Sequence, residues 1–259
     1  MNVGEYLRKK REREEDQPVF RKMCVQCRQP EFSCFCEHIK SFDPKIEFAI
    51  LIHPLEARRR VATGRMAHLC LENSHLIEGH NYTDDERVNA LIAREDAEKV
   101  ILYPGKSAVN LTQSQTDLST LFPPTKKLII FVIDGTWATA RQTMNVSRNL
   151  KMLPKICFTP AAPSQFRVRK QPQPECHSTI EAIHHTIDLF GDSRGFKASN
   201  HEHDHLLRLF GIMVEGQLEL IRKASNPRRP SGKSTWRTKS RKKQSDAAHY
   251  PVGIQEKTD

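Results

Sequence analysis

The sequence predicts an α/β protein whose parallel sheet is flanked by helices, with a cysteine-rich segment before it and a basic tail after it. Across the 259 residues, short apolar runs rich in Ile, Leu and Val alternate with helical patterns, as strand–helix–strand units do. Four cysteines fall within 13 residues near the N-terminus. We therefore expect an N-terminal helix and four-cysteine segment at 1–45, the α/β domain at 46–222, and a flexible basic tail at 223–259.

Four continuous apolar runs are predicted to be strands. Such runs, without polar alternation, are typical of strands buried on both faces of a parallel sheet. They are Phe48–Ile52, Val100–Tyr103, Leu128–Ile133 and Ile156–Phe158.

Five segments carry apolar residues at helical spacing. The clearest is Thr179–Phe190, which has an apolar face and opens with the capping-box pattern Ser178-Thr179-Ile180-Glu181. The others are Thr63–Leu71, Asp84–Ala97, Thr136–Leu150 and a last helix from about 204 to 222. Residues 1–17, which are mostly charged, predict a frayed or solvated helix.

Several classes of protein are excluded by composition. The longest apolar runs, such as Leu128–Ile133, are far below the ~20 residues that a membrane span needs. The charged N-terminus lacks the apolar region of a signal peptide. We therefore expect a cytoplasmic protein without a membrane partner, in which disulfides are rare.

The four-cysteine segment predicts a structural zinc site. Cys24, Cys27, Cys34 and Cys36 offer four thiolates, and four thiolates leave no open coordination position for catalysis. The alternative is four unrelated thiols. A second ligand-like cluster, His201–His205, is explained more simply as a solvated helix N-terminus than as a metal site.

Asp134 is the most informative single residue. Six apolar residues deliver its carboxylate to the carboxyl end of a strand, and Gly135 allows a tight turn before a helix. Ligands bind beside such ends in open α/β sheets, and a buried carboxylate is unfavourable unless hydrogen-bonded or functional. The alternative is that Asp134 caps the following helix.

Two further strand ends carry turn or polar residues. Tyr103-Pro104-Gly105 follows one strand, and His53-Pro54-Leu55-Glu56 follows another. Each pattern alone is common, but three such ends on one sheet favour a pocket.

Together these motifs resemble those of the DTW-domain family, over roughly residues 20–222. The four cysteines, His53-Pro54-x-Glu56-x-x-Arg59, Tyr103-Pro104-Gly105, Asp134-Gly135-Thr136-Trp137 and Ser178-Thr179-x-Glu181-Ala182 occur in the family's order. Two positions depart from its pattern: Ala62 precedes Thr63 where Asn is expected, and Phe166 stands where Tyr is frequent.

The resemblance implies a SPOUT-like fold, related to SPOUT RNA methyltransferases, with S-adenosylmethionine bound at one edge of the sheet. It also implies transfer of the 3-amino-3-carboxypropyl group to N3 of a tRNA uridine, releasing methylthioadenosine. The expected cofactor-binding residues are Tyr103, Pro104, Gly105, Asp134, Gly135, Thr136, Trp137, Arg167, Ser178, Thr179 and Glu181. The expected tRNA contacts are His53, Arg59, Arg65, Arg169, Lys239 and Arg241.

Several of these roles have simpler alternatives. Asp134 is the candidate catalytic base, or the acceptor that orients the N3–H group; as a base it needs a pKa above the ordinary value of about 3.9. Glu181 is equally explained as the capping-box partner, and Trp137 as a core residue that supports the turn. Arg169 is also a candidate donor to the cofactor carboxylate.

The net charge of +10 lies mainly in the tail, because residues 222–243 hold ten of the 41 basic side chains and no acid. Such a stretch can bind RNA phosphates, and Trp236 can stack on a base. The alternative is a solvated terminus without a partner. We expect tRNA, not DNA, as the macromolecular partner, and a monomer as the simpler oligomeric state.

Two rival functions fit part of the pattern. An RNA methyltransferase of the same fold would differ only in which cofactor carbon is exposed. A non-catalytic, zinc-dependent RNA-binding protein would need the cysteines and the tail but not Asp134.

Overall fold

The chain forms a six-stranded, wholly parallel sheet in a computed structural model that describes residues 2–8, 22–113, 121–169 and 176–225. The strand order is β2-β1-β5-β3-β6-β4. The strands are β1 (Glu47–Ile52), β2 (Ser74–Glu78), β3 (Ala97–Leu102), β4 (Val109–Asn110), β5 (Lys127–Asp134) and β6 (Lys155–Cys157). The predicted parallel α/β class is confirmed.

Helices connect the strands and cover both faces of the sheet. Among the described residues they are α1 (residues 3–8), α2 (Pro54–Ala57), α3 (Thr63–Cys70), α4 (Glu86–Ala93), α5 (Trp137–Val146), α6 (Arg148–Lys151), α7 (Thr179–Phe190) and α8 (Asp204–Ser225). None of the helices in the described ranges is long and apolar enough to cross a membrane.

Alternate side chains of the central strands belong to two separate cores. Phe48 of β1 and Ile130 of β5 pack in one core with residues of α3, α7 and α8. Ala49 and Phe131, one position further along each strand, pack in the other with residues of α4, α5 and α6. Because both faces are buried, the strands read as continuous apolar runs.

The cysteine segment shares the first of these cores. Cys27 and Phe35 are buried within the same cluster as the sheet residues, and Phe42 pairs with Leu71 in an isolated bridge. The segment therefore packs directly on the α/β domain.

The predicted strands and three of the predicted helices agree with the structure within a few residues. The sequence does not predict strand β2, because it is an edge strand of mostly polar residues with only Ile77 buried, or β4, because it has two residues. The helix predicted over 84–97 is too long, since α4 ends at Ala93 and Ala97 already begins β3.

The helix predicted over 136–150 is interrupted at Ser147. This residue adopts an extended backbone conformation between α5 and α6, and its buried hydroxyl accepts a hydrogen bond from the Tyr82 amide at 3.0 Å. A tertiary contact therefore ends the helix where periodicity would continue it.

Register places Asp134 at the centre of the carboxyl edge of the sheet. Asp134 lies beside Ile52, the last residue of β1, and Val132 lies beside Leu102, the last residue of β3. The residues that follow β1, β5 and β3 therefore meet at one edge.

Candidate active site

Asp134 is buried at the carboxyl end of β5, with 4% of its surface exposed. One carboxylate oxygen accepts a hydrogen bond from the Thr179 hydroxyl at 2.6 Å, and the other accepts one from the Gly64 amide at 3.2 Å. Asp134 therefore links β5 to the first turns of α7 and α3.

The capping role that the sequence left open for Asp134 belongs to another residue. The hydroxyl of Thr136 caps α5 by accepting a hydrogen bond from the Thr139 amide at 3.1 Å. Burial raises the pKa of Asp134, and the negative charge of Glu56 adds to the effect, against the opposing hydrogen bond from Thr179. A carboxylate with a raised pKa on a cavity wall is suited to accept a proton.

A cavity of about 590 Å³ opens beside Asp134, within the range typical of small-molecule sites. Its walls come from the ends of β3, β5 and β6 and the start of α7. The predicted site residues that line it are Tyr103, Pro104, Asp134, Gly135, Thr136, Trp137, Arg169, Ser178 and Thr179.

Other lining residues were not predicted from the sequence. Phe158 directly follows β6, and His177 directly precedes the Ser178-Thr179 pair. Phe158 could have been found from the end of the fourth predicted strand, and His177 from its position beside the Ser178-Thr179 pair. Thr63 and Arg141 also line the cavity, but no local sequence signal marks them.

Glu181 is the capping-box partner of α7. Its carboxylate accepts hydrogen bonds from the amide and hydroxyl of Ser178 at 2.8 and 2.6 Å. It also accepts from the Ser164 hydroxyl and the Gln165 amide, each at 2.7 Å. Four donors already occupy this carboxylate, and Glu181 is not among the residues that line the cavity. The capping-box role therefore explains Glu181 better than a contact with the cofactor does.

The two arginines of the 164–169 segment point to different places. Arg169 lines the cavity, and its guanidinium lies 3.4 Å from the buried carboxylate of Glu56. Arg167, predicted to bind the cofactor, instead forms an exposed ion pair with Glu215 of α8. The cavity therefore receives Arg169 rather than Arg167.

The remaining predicted contacts lie outside the cavity walls. Arg59 is half-exposed and pairs with Glu56 at 3.4 Å. Arg65 is buried and donates to the Ala57 carbonyl, so its placement does not fit a contact with a tRNA phosphate. Gly105 is exposed and does not line the cavity.

His53 caps the short helix α2. Its Nδ1 atom accepts a hydrogen bond from the Leu55 amide at 3.2 Å, and its ring packs edge-on against His80. Burial lowers its pKa, and the neighbouring His80 lowers it further. Lys239, Arg241 and Trp236 lie outside the described residues.

The four predicted zinc ligands come together. The sulfur atoms of Cys24, Cys27, Cys34 and Cys36 all lie within 4.8 Å of one another, and the Cys24–Cys36 and Cys27–Cys34 pairs are each 3.6 Å apart. Tetrahedral zinc with Zn–S bonds near 2.3 Å separates its sulfurs by about 3.8 Å. Hydrogen bonds from the Cys27 and Gln26 amides lower the pKa of Cys24 to about 6, whereas burial raises the pKa of Cys27 and of Cys36, so the fit to zinc rests on the number and spacing of the sulfurs. The donor set therefore fits a zinc site with four thiolate ligands.

The prediction that residues 201–205 form a solvated helix terminus is wrong for two of the histidines. His203 is 1% exposed and His205 is also buried. Nε2 of His203 donates to Asp188 at 2.6 Å, and His184 contacts Asp204 at 2.9 Å. His184, His203 and Asp204 are grouped closely enough to hold a metal ion. The hydrogen bonds between α7 and the start of α8 hold these side chains together, while Nδ1 of His203 is buried without a hydrogen-bond partner among the described residues.

Comparison with known proteins gives consistent matches. A family model described as the DTW domain matches residues 21–218. The chain is 27% identical to tRNA-uridine aminocarboxypropyltransferase 2 of Mus musculus over 162 residues, which is 61% of this chain and 53% of that protein.

Two further relatives carry the same name. The protein from Macaca fascicularis is 24% identical over 200 residues, 76% of this chain and 63% of its own length. The protein from Drosophila melanogaster is 26% identical over 176 residues, 64% and 65% of the two chains. The chain thus spans between half and two thirds of the length of these relatives, and no solved structure matches it. Because the family model covers most of the sequence, the chain belongs to the DTW-domain family.

Proposed function

We propose that the chain is a tRNA-uridine aminocarboxypropyltransferase that uses S-adenosylmethionine to modify N3 of a tRNA uridine and releases methylthioadenosine. The names of its relatives support this reaction class. The observation that carries the proposal is the buried carboxylate of Asp134 on the wall of a cavity, with a raised pKa.

The cavity has the groups that S-adenosylmethionine would require. Arg169 and the first amides of α7 can receive its carboxylate, because the start of a helix favours anions. Trp137 and Phe158 line the same cavity and can contact the adenine ring. When bound, S-adenosylmethionine supplies an electrophilic γ-carbon, whose bond to sulfur breaks as its bond to N3 forms.

Asp134 is assigned the role of the base that accepts the proton of the uridine N3–H group. An ordinary aspartate is too weak a base for so weak an acid, and the raised pKa of Asp134 reduces this mismatch. Thr179 and Gly64 each donate to one of its oxygens, which holds the carboxylate in one orientation. The cavity walls must also direct the γ-carbon, rather than the methyl group, toward N3, which is a matter of positioning.

The four-cysteine cluster is assigned a structural zinc ion. Its four thiols would fill all four positions of a tetrahedral ion, so no reaction step is assigned to the metal. The proposal includes tRNA as the macromolecular partner and the cytoplasm as the location of the protein.

Asp134→Asn tests the proposed function. We expect the variant to bind S-adenosylmethionine as the wild type does, measured by calorimetry, and to lose transfer by about 10²- to 10⁴-fold. Mass spectrometry of the small-molecule product separates the reactions, since methylthioadenosine marks aminocarboxypropyl transfer and S-adenosylhomocysteine marks methylation. Formation of S-adenosylhomocysteine by the wild type, or near-normal turnover by Asp134→Asn, would overturn the assignment.

A further inference from the structure

The cysteine segment is attached to an arginine-rich loop beside the active site. The side chain of Gln29, 1% exposed, donates a hydrogen bond to the backbone carbonyl of Arg60. Residues 58–62 connect α2 to α3, and Gly64 of α3 contacts Asp134. The cysteine segment therefore supports the loop that leads directly to the catalytic carboxylate.

Arg28 occupies a backbone conformation that favours glycine. Its φ angle is +57°, in the left-handed region where a side chain carries a steric penalty. The turn is held by hydrogen bonds from the Arg28 amide to Cys24 and from the Cys24 amide to Gln29. Glycine would therefore fit at position 28 without backbone strain.

The guanidinium of Arg28 is exposed and belongs to a set of uncompensated charges. Arg28, Arg58 and Arg60 are all exposed, and none of them forms an ion pair with an acid in the part of the chain that the structure describes. Arg28 also lies close to the buried Arg65, whose pKa is lowered first by burial and then by the charge of Arg28. Arg65 in turn donates to Ala57, at the start of the same loop.

We propose that Arg28, Arg58 and Arg60 form a phosphate-binding surface for the tRNA backbone, and that the cysteine segment is an RNA-docking element as well as a structural one. This inference rests on the proposed function. Guanidinium groups bind phosphate oxygens through paired hydrogen bonds. Thr63, the residue that directly follows this loop, lines the cavity that would receive the uridine.

Arg28→Gly separates the two roles of the cysteine segment, because glycine suits the left-handed backbone and removes the exposed side chain that carries the guanidinium. Lys45→Gly is a matched control. Lys45 also has a positive φ, of 58°, but its ammonium is paired with Asp43 at 2.7 Å. It lies before β1, at the opposite edge of the sheet from Asp134.

The test measures the dissociation constant of tRNA over a series of salt concentrations, by filter binding with the full chain. We expect Arg28→Gly and Arg60→Gln each to weaken binding by about threefold or more and to reduce the salt slope by about one. Lys45→Gly should leave both quantities unchanged. Zinc content and thermal melting of all three variants should match the wild type, which shows that the effect does not come from unfolding.

Equal tRNA affinity and salt slope for Arg28→Gly and the wild type would overturn the inference. An equal loss in Lys45→Gly would also overturn it, since the effect would then reflect net charge alone. The proposed function is judged separately, from the product that the wild type forms. If the wild type transfers the group but Arg28→Gly binds tRNA as the wild type does, only the phosphate-binding surface is rejected. If Arg28→Gly weakens tRNA binding but the wild type shows no transfer, the proposed transferase function is rejected.

Discussion

Gly64 and Asp134 are in direct contact across the site. The Gly64 amide donates to the Asp134 carboxylate at 3.2 Å, and a Cβ atom added at position 64 would lie 2.6 Å from the same oxygen. No ordinary carbon–oxygen contact is that short. Helix α3 can therefore deliver its amide to the carboxylate only because residue 64 has no side chain.

Gly64→Ala is expected to displace the Asp134 carboxylate while leaving the fold intact. A displacement of about 1 Å at a reacting group can reduce a rate by about 100-fold. Single-turnover transfer assays measure the loss, and thermal melting checks the fold. Gly211→Ala is the control, because a Cβ on this glycine of α8 meets open space; wild-type turnover by Gly64→Ala would contradict the prediction.

Transfer should depend on the ionisation of Asp134. Because burial raises the pKa of Asp134, its base form is reached only at a pH above the ordinary value of about 3.9. We expect kcat to rise with pH through this raised pKa and then to level off. A pH–rate profile measures this acid limb. A limb at the ordinary aspartate value would exclude Asp134 as the base.

Asp134→Asn should also increase stability at neutral pH. The pKa of Asp134 is higher in the folded chain than in the unfolded chain, so its proton stabilises the fold at low pH. That contribution is lost as pH rises through the folded-state pKa, whereas asparagine stays neutral. We expect a higher Tm for the variant at pH 7 and a smaller difference from the wild type as pH is lowered. A lower Tm at pH 7 would show that the carboxylate is stabilising.

The four-cysteine site should hold about one zinc ion per chain, measured by elemental analysis of the purified protein. Cys27→Ser should lose this zinc and lower the free energy of unfolding by more than about 2 kcal/mol, since metal loss is among the larger causes of destabilisation. Cys70→Ala is the control. Cys70 is buried in the hydrophobic core on α3, outside the group of four cysteines, so its removal should leave zinc content unchanged.

The contacts between α7 and α8 predict a loss of stability in acid. Burial raises the pKa of Asp188, but the hydrogen bond from His203 and the nearby histidine charges lower it overall. Its stabilising contribution is therefore present above the unfolded-state pKa and lost as pH falls through the folded-state pKa. Denaturant titrations from pH 6 to pH 3 should show a shallower decline for Asp188→Asn than for the wild type. The exposed Asp84 gives the control, since Asp84→Asn should follow the wild-type curve.

Much of the fold could be predicted because its signals are local. Strand β5 is an unbroken apolar run, α7 opens with a capping box that the structure confirms, and the four cysteines lie within one short segment. Edge strand β2 escaped prediction because only one of its side chains is buried. The break at Ser147 escaped because its cause is Tyr82, 65 residues away in the chain.

The order of amino acids was enough to predict the parallel α/β class, the group of four cysteines and the position of Asp134 at a strand end. The groups that surround this carboxylate became known only from the packed chain, since Gly64 and Thr179 are 70 and 45 residues from it in sequence. Packing also determines that Arg169 rather than Arg167 reaches the cavity, and that Arg65 and His203 are buried. The physical reason is that periodicity and caps are properties of neighbouring residues, whereas the packing of α3 and α7 on the sheet brings distant side chains together.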